Sequence, residues 1–350
     1  MPELQGVGID QAAAELRGGV MIGAWLFASL LVSASLTWLA RRYALRRQLL
    51  DAPGERRAHT VPTPRGGGIG IVVVLVLAGV WLLGVVVDRV ELAAMLAGLV
   101  MVAGVGLIDD HRPLSPFLRL GVQVVAAALL AAGTWHATRE PILAGGAFVL
   151  AMALTNIWNF MDGIDGIATS QALLVALPIV VLEADAWSWW AAALAAATLG
   201  FLPFNFPKAR IFLGDVGSGT LGFALAALLV HGLADAPLTH AWLWALPPSA
   251  FLVDAGLTLG RRVVRGERFW EPHSQHAYQA WARRLGSHVP VTCAYAGWTI
   301  ASIVLMAWLG SRDRDTAQVS GFIAAWYIAG AGIWLSLQGK GVPRVKESTE

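Results

Sequence analysis

The chain has 350 residues, of which 57% are hydrophobic and 14% charged, with a net charge of +2 and a mean hydropathy of +0.62. Soluble proteins carry about 25% charged residues, so this composition excludes a water-soluble globular fold. Sixteen tryptophans fit the aromatic belts of membrane interfaces. The single cysteine, Cys293, excludes an intrachain disulfide and a thiolate metal site. These features predict an all-α, polytopic integral membrane protein.

The apolar segments predict about eleven transmembrane helices, because a helix needs about 20 apolar residues to cross the bilayer core. The predicted spans are 21–40, 68–87, 92–108, 117–134, 143–158, 167–183, 188–202, 217–233, 241–259, 290–309 and 320–338. With the N-terminus outside, the inside segments, including the tail from residue 339, hold 19 Lys or Arg residues and the outside segments 5. This asymmetry predicts an outside N-terminus, a cytoplasmic C-terminus and one transmembrane domain over residues 1–350.

Unusual polar residues are concentrated in the predicted inside segments. These segments are 41–67, 109–116, 159–166, 203–216 and 260–289. A channel or transporter is expected to place polar residues near the middle of the membrane, at broken helices. Polar residues collected at one face favour an active site at the cytoplasmic surface.

Asp109 and Asp110 follow the apolar run that ends in GLI. Adjacent carboxylates at the C-terminal, negative end of a helix are unfavourable unless a cation compensates them. The pair therefore indicates a metal ion or a cationic ligand. The alternative is a solvated pair that only ends the helix.

Asn159, Asp162 and Asp165 lie in the run NIWNFMDGIDG. The two aspartates share a face if the run is helical, and so many polar side chains at a membrane boundary are costly unless they have a function. The alternative is a polar loop with glycine turns.

Asp215 lies between glycines in FLGDVGSG, at the start of a predicted span. Carboxylates suit Mg²⁺, which usually binds one or two of them together with substrate phosphates. The backbone N–H groups of a glycine-rich turn can also bind phosphate. Phe212 could stack on a base.

His273 and His276 lie in a basic loop that includes Arg265 and Arg268. With no cysteine nearby, phosphate contact or proton transfer is a better interpretation than a metal site. A loop made basic only to set the topology is the alternative. Asp254, inside the span 241–259, is either functional or a structural hydrogen-bonding group.

Taken in order, these runs resemble the polyprenyl-phosphate N-acetylhexosamine-1-phosphate transferases. That family includes the phospho-N-acetylmuramoyl-pentapeptide transferase and the enzymes that start O-antigen, common-antigen and teichoic-acid chains. The resemblance extends from about Asp51 to Gln279. It is carried by DAPGERRAHTVPTPRGGGI, GLIDD, NFMDGIDGIA, the run from Asn205 to Asp215 and a C-terminal histidine motif.

The resemblance implies transfer of an N-acetylated amino-sugar 1-phosphate from a UDP-sugar to undecaprenyl phosphate, with release of UMP and use of Mg²⁺ or, as an alternative, Mn²⁺. It implies a bacterial inner-membrane enzyme whose active site faces the cytoplasm, with the bilayer and two substrates as partners, no nucleic acid, and a homodimer as an open alternative. The implied catalytic residues are Asp109, Asp110, Asp162 and Asp165, the metal ligands Asp215 and Asp110, and the substrate-binding residues Asn159, Asn205, Phe212, Arg65, Arg265, Arg268, His273 and His276.

The histidine motif differs from that of two branches of the family. The muramoyl-pentapeptide branch has three consecutive histidines and the common-antigen branch an HxHH cluster, whereas this chain has HSQHAYQ. That form resembles the branch that initiates O-antigen chains of lipopolysaccharide. Peptidoglycan lipid I synthesis and a multi-pass anion transporter are the alternatives. A phosphatidyl-group transferase is disfavoured, since its DGxxAR start is not matched by DGIDGIA.

We predict that all five inside segments face the cytoplasm. In a chain with Cys293 replaced, single cysteines at Ala58 and Ser274 should resist membrane-impermeant thiol reagents in intact cells. A cysteine at Ala236 should react. Labelling of position 274 from outside would contradict the topology.

Overall fold

The computed structural model describes residues 3–51, 61–86, 89–183, 185–268, 273–312 and 314–339. Residues 52–60, from the first predicted inside segment, and 269–272, from the last, lie outside the described residues. The described chain is a helical bundle with one short antiparallel strand pair, β1 (Leu50–Asp51) and β2 (Thr63–Pro64). The prediction of an all-α membrane fold is confirmed.

The helices follow the predicted spans closely. They are α1 (Glu3–Arg47), α2 (Ile69–Leu83), α3 (Arg89–His111), α4 (Pro116–Thr138), α5 (Pro141–Met161), α6 (Ile167–Leu182), α7 (Ala186–Asn205), α8 (Asp215–Asp235), α9 (Leu238–Ala241), α10 (Ser249–Val264), α11 (Ala277–Leu285), α12 (Val289–Gly310) and α13 (Thr316–Gly339). Among the described residues, eight helices are long and apolar enough to cross a membrane, and α2 and α6 are shorter apolar helices.

The predicted span at 241–259 is wrong as a single helix. A 3₁₀ helix covers Trp242–Ala245, and α10 begins only at Ser249. Pro247 and Pro248 separate the two pieces. Proline has no backbone N–H and disfavours helical geometry in the residue before it, so an apolar run of sufficient length is divided here. The count of eleven spans stays a prediction.

Helix α8 lies at the centre of the bundle, with 94% of its most apolar window buried. Neighbouring helices approach it at glycines. A Cβ atom at Gly222 would lie 2.2 Å from the carbonyl oxygen of Leu154 in α5, and one at Gly106 of α3 would lie 2.5 Å from the carbonyl oxygen of Asp215. Small residues at helix contacts are the usual means of close packing in membranes. This packing fixes the start of α8 beside the ends of α3 and α5.

Candidate active site

Residues from all five predicted inside segments line one polar cavity of about 290 Å³. Its lining is Asp51, Arg65, Asp110, Asn159, Asp162, Gly163, Ile164, Asn205, Phe212, Gly214, Asp215, Ser218 and Gln279. Sequence segments separated by more than 200 positions therefore meet at one end of the bundle. The side of the membrane that this end faces stays a prediction.

Asp110 holds the start of α8. Its side chain is buried, and its Oδ1 and Oδ2 accept hydrogen bonds from the backbone N–H groups of Asp215 and Val216, both at 3.1 Å. The first N–H groups of a helix have no partner within it and carry its positive pole. Gly214 has a φ of +77°, and a Cβ there would lie 2.5 Å from Asp110 Oδ2. Asp110 thus orients Asp215, and its assignments as a metal ligand and catalytic group stay predictions.

Arg119 joins Asp109 to Asp215. Its Nη1 donates to Asp109 Oδ2 at 2.9 Å and to Asp215 Oδ2 at 3.1 Å. Asp109 Oδ1 also accepts from the backbone N–H of Leu114 at 2.6 Å. Sequence reasoning assigned no role to Arg119, although a lone arginine just inside the predicted span 117–134 was a signal, since buried charges in membranes are rarely without a function.

Asn159 holds the other oxygen of Asp215. Its Nδ2 donates to Asp215 Oδ1 at 2.8 Å and to Ser218 Oγ at 3.0 Å. Asn159 lies in α5 and Asp215 in α8, so this hydrogen bond joins two helices. Both carboxylate oxygens of Asp215 therefore point toward donors of neighbouring helices, which fixes the side chain at the cavity wall.

Asp162 differs from the other aspartates of the cavity. It follows the last residue of α5, and no described side chain donates a hydrogen bond to it or forms an ion pair with it. Burial, followed by the nearby carboxylates of Asp215, Asp110 and Asp165, raises the pKa of Asp162 to about 8. A cation in the cavity would favour its ionised form.

Arg65 and Phe212 reach the cavity because their two segments pair like strands. Phe212 N–H donates to the carbonyl of Pro64 at 2.8 Å, and Gly67 N–H donates to that of Phe212 at 2.9 Å. Glycines allow the approach, since a Cβ at Gly68 would lie 2.3 Å from Gly217 Cα. The Nε of Arg65 is buried without a hydrogen bond.

Asn205 and Asp165 have structural contacts near the cavity. Asn205 Oδ1 accepts from Gly166 N–H at 3.0 Å, and its Nδ2 donates to the carbonyl of Ile211 at 3.2 Å. Asp165 does not line the cavity, and its Oδ2 lies 3.2 Å from Nδ1 of His288. Sequence reasoning did not identify His288. The substrate-binding role of Asn205 and the catalytic role of Asp165 stay predictions.

The segment that contains His273 and His276, the histidine loop, packs against the cavity from outside. His276 is buried, stacks between His273 and Tyr278, and has its Nδ1 3.6 Å from Asp254 Oδ1. Asp254 accepts the backbone N–H groups of Ala277 and Tyr278 at 2.8 and 3.1 Å, so it has a structural role at the start of α11. Gln279, in the first turn of α11, lines the cavity, and sequence reasoning gave it no role.

The other predicted residues of this loop do not line the cavity. Arg265 and Arg268 are exposed. Burial, with His276 and Arg262 nearby, lowers the pKa of His273 to about 4, so this imidazole is neutral at pH 7. The substrate-binding roles of Arg265, Arg268, His273 and His276 stay predictions.

The donor set of the cavity fits Mg²⁺. Among the described residues the cavity aspartates do not bring three ligand atoms within 4.8 Å of one another, so a site made of protein ligands alone is not formed. Mg²⁺ instead binds one or two carboxylates, waters and substrate phosphates. Asp215 and Asp162 are the carboxylates that would hold it, since Asp162 has no described partner.

A second, mainly apolar cavity of about 310 Å³ opens beside the first. It is lined by Val102, Val105, Gly106, Pro116, Phe117, Arg119, Leu120, Gln123, Asn156, Asn159, Phe160, Asp215, Gly219 and Leu259. Asn159 and Asp215 line both cavities. An apolar and a polar compartment therefore share one boundary, and Arg119 lies on the apolar side of it.

Comparison with known proteins gives consistent results. Residues 92–233 match the family model described as glycosyl transferase family 4. The chain is 30% identical to a decaprenyl-phosphate N-acetylglucosaminephosphotransferase of Mycobacterium tuberculosis over 89% of each chain. It is 26% identical to an undecaprenyl-phosphate alpha-N-acetylglucosaminyl 1-phosphate transferase of Salmonella typhi, over 87% of this chain and 85% of the relative. A phospho-N-acetylmuramoyl-pentapeptide-transferase of Moorella thermoacetica is 33% identical over 56% of this chain and 69% of its own.

Asp110→Asn should destabilise the protein, whereas Asp162→Asn should not. The two N–H groups of α8 are accepted by different oxygens of Asp110, and Asn replaces one of these oxygens with an NH2 group that cannot accept. Asp110→Asn should therefore lower the free energy of unfolding by about 1–3 kcal/mol. Asp162→Asn removes a carboxylate that has no described partner and should leave stability unchanged or raise it. Thermal unfolding in detergent measures both effects. Equal destabilisation by the two changes would contradict this division of roles.

Proposed function

Because the chain belongs to glycosyl transferase family 4, we propose that it transfers an N-acetylated amino-sugar 1-phosphate from a UDP-sugar to undecaprenyl phosphate. UMP is the second product. The relatives are sugar-phosphate transferases by name, and this chain is a phosphoglycosyltransferase. The observation that carries the proposal is the shared boundary of the two cavities at Asn159 and Asp215.

The two cavities suit the two substrates. A polyprenyl chain is apolar and needs a groove open to the bilayer, whereas a nucleotide diphosphate needs a polar pocket with cationic and backbone donors. The apolar cavity offers Leu120, Phe117 and Val105, and the polar cavity offers Arg65 and the glycine-rich start of α8. Phe212 lines the polar cavity, and its aromatic ring is suited to stack on the uracil ring.

The reaction joins the lipid phosphate to the phosphorus that carries the sugar. A new P–O bond forms to that phosphorus, the P–O bond to UMP breaks, and UMP leaves with the electron pair. A phosphate monoester has a second pKa near 6 and is mostly dianionic at pH 7, so a strong base is not required. Mg²⁺ would neutralise charge on the phosphates when bound.

The residues at the boundary position the reacting groups. Arg119 can meet the lipid phosphate from the apolar side, and Asp109 holds that guanidinium in place. Asn159 fixes Asp215, and Asp110 fixes the helix that carries Asp215. Preorganised charges of this kind typically contribute factors of about 10²–10³ each to turnover.

The donor and the location are the finer parts of the proposal. The names of two relatives favour UDP-N-acetylglucosamine as the first donor to test, and HSQHAYQ supports a role in starting O-antigen or another envelope polysaccharide. The bacterial relatives support a bacterial inner-membrane protein, and the excess of inside Lys and Arg supports a site on the cytoplasmic side.

The test is UMP release by purified protein with undecaprenyl phosphate, Mg²⁺ and a panel of UDP-sugars that includes UDP-N-acetylmuramoyl-pentapeptide. We expect turnover with an N-acetylhexosamine donor, its loss with EDTA, and a drop of about 100-fold or more in Asp215→Asn, which removes a metal-binding charge. Turnover with the muramoyl donor alone would favour lipid I synthesis. No UMP release with any donor would reject the proposal.

Narrowing the apolar cavity should affect the lipid substrate alone. Leu120→Trp places a larger ring in the cavity wall, so we expect the KM for undecaprenyl phosphate to rise by about 10-fold, the cost of roughly 1.4 kcal/mol of binding. The KM for the UDP-sugar should stay unchanged. Val149→Trp is the matched control, because Val149 is exposed and does not line this cavity. Equal effects on the two KM values would contradict the assignment of this cavity to the lipid.

A further inference from the structure

A second group of ionisable side chains lies at the opposite end of the bundle from the active site. This distal cluster consists of Glu183 after α6, Asp185 before α7, and His231 and Asp235 in the last turns of α8. Helix α8 begins at Asp215 and ends at Asp235. At 1.5 Å per residue its ends are about 30 Å apart, so the distal cluster lies near the other membrane face.

The imidazole of His231 is the centre of the distal cluster. Its Nε2 lies 2.8 Å from Asp185 Oδ2 and 3.4 Å from Asp235 Oδ2. Ligand atoms of Glu183, His231 and Asp235 all lie within 4.8 Å of one another. Nε2 is fully buried, yet no oxygen of a described residue meets it in the alignment of a hydrogen bond. The nitrogen is thus close to several carboxylates without being well bonded to any of them.

Neighbouring residues hold this geometry. Asp185 Oδ1 accepts the backbone N–H groups of Trp187 and Ser188 at 2.9 and 3.1 Å, so only Oδ2 faces His231. The Trp187 ring stacks on the imidazole, with centroids 4.8 Å apart and an interplanar angle of 18°. These contacts fix the orientation of the imidazole ring and of the Asp185 carboxylate.

The charges of the distal cluster are unbalanced. Three carboxylates face one imidazole, and even a protonated imidazole would offset one negative charge of three. Carboxylates crowded in this way repel one another unless a cation compensates them. A cavity of about 360 Å³ lies beside Asp185 and His231, and Asp235 and Asp185 are partly exposed, so an ion can enter from solvent.

We propose that the distal cluster binds a zinc-type divalent metal ion through Nε2 of His231 and carboxylate oxygens of Glu183 and Asp235. Mixed nitrogen and oxygen ligands with bonds of about 2 Å are usual for Zn²⁺. Such bonds place ligand atoms roughly 3.3 Å apart in a tetrahedron, so closure of side chains already within 4.8 Å completes the site. The ion joins the ends of α6 and α8.

The test is Zn²⁺ binding to the full-length, EDTA-treated protein in detergent, measured by calorimetry and by metal content after gel filtration. We expect one zinc per chain in the wild type, and at least a 10-fold weaker affinity in His231→Gln, which keeps the side-chain size but removes the ligand nitrogen. Asp215→Asn and His273→Gln are controls that should bind zinc as the wild type does, because they lie at the active-site end.

Asp235→Asn and Glu183→Gln change residues near the surface, so these variants should fold. They test the proposal even if His231→Gln does not fold. Both should weaken zinc binding. No binding by the wild type at micromolar zinc, or equal affinity in the wild type and the distal-cluster variants, would overturn the proposal. Loss of binding in His273→Gln instead would assign the zinc to the histidine loop and would equally overturn it. No substrate is used, so the result is independent of the proposed transferase reaction.

Discussion

The active site depends on one interaction, the contact of the buried Asp110 carboxylate with the first N–H groups of α8. Those groups would otherwise be unsatisfied at the edge of the membrane, where few waters can replace a partner. With them fixed, Asp215 is placed opposite Asn159 and Arg119. The same arrangement recurs at Asp254, which accepts two N–H groups at the start of α11 and thereby places Gln279 at the cavity. Two helices that carry cavity residues are therefore started by carboxylates from other helices.

The electrostatics of the cavity suit anionic substrates only when positive charge enters with them. Asp110 and Asp215 are compensated by backbone N–H groups, Arg119 and Asn159, whereas Asp162 has no described partner. A carboxylate held in this way costs stability, and such costs are typical of functional positions. The uncompensated carboxyl group of Asp162 therefore supports the proposal that the polar cavity binds a cation together with its substrate.

Much of the fold and part of the site could be predicted from sequence. Apolar length located helices at ten of the eleven predicted spans, eight of them long and apolar enough to cross a membrane, and the polar runs identified the segments that line the cavity. The sequence pattern could not show which side chains are hydrogen-bonded to which groups. Bonds such as the one from Val216 N–H to Asp110 join residues 106 positions apart. For this reason the sequence predicts a metal ligand at Asp110 but not its contact with α8, and it gives no role to Arg119 or His288. The break at 241–259 was missed because hydropathy does not register the missing N–H groups of Pro247 and Pro248.

The burial of α8 has a consequence for the fate of the product. From Val216 to Val230 this helix is surrounded by protein, and its apolar and small side chains fill the middle of the bundle. The described chain therefore offers no polar passage along its centre, and a pyrophosphate headgroup cannot cross there without losing its hydration. Under the proposed function, a glycolipid made at the boundary of the two cavities stays in the leaflet where it was formed. Its movement to the other leaflet is then a step separate from the transfer reaction.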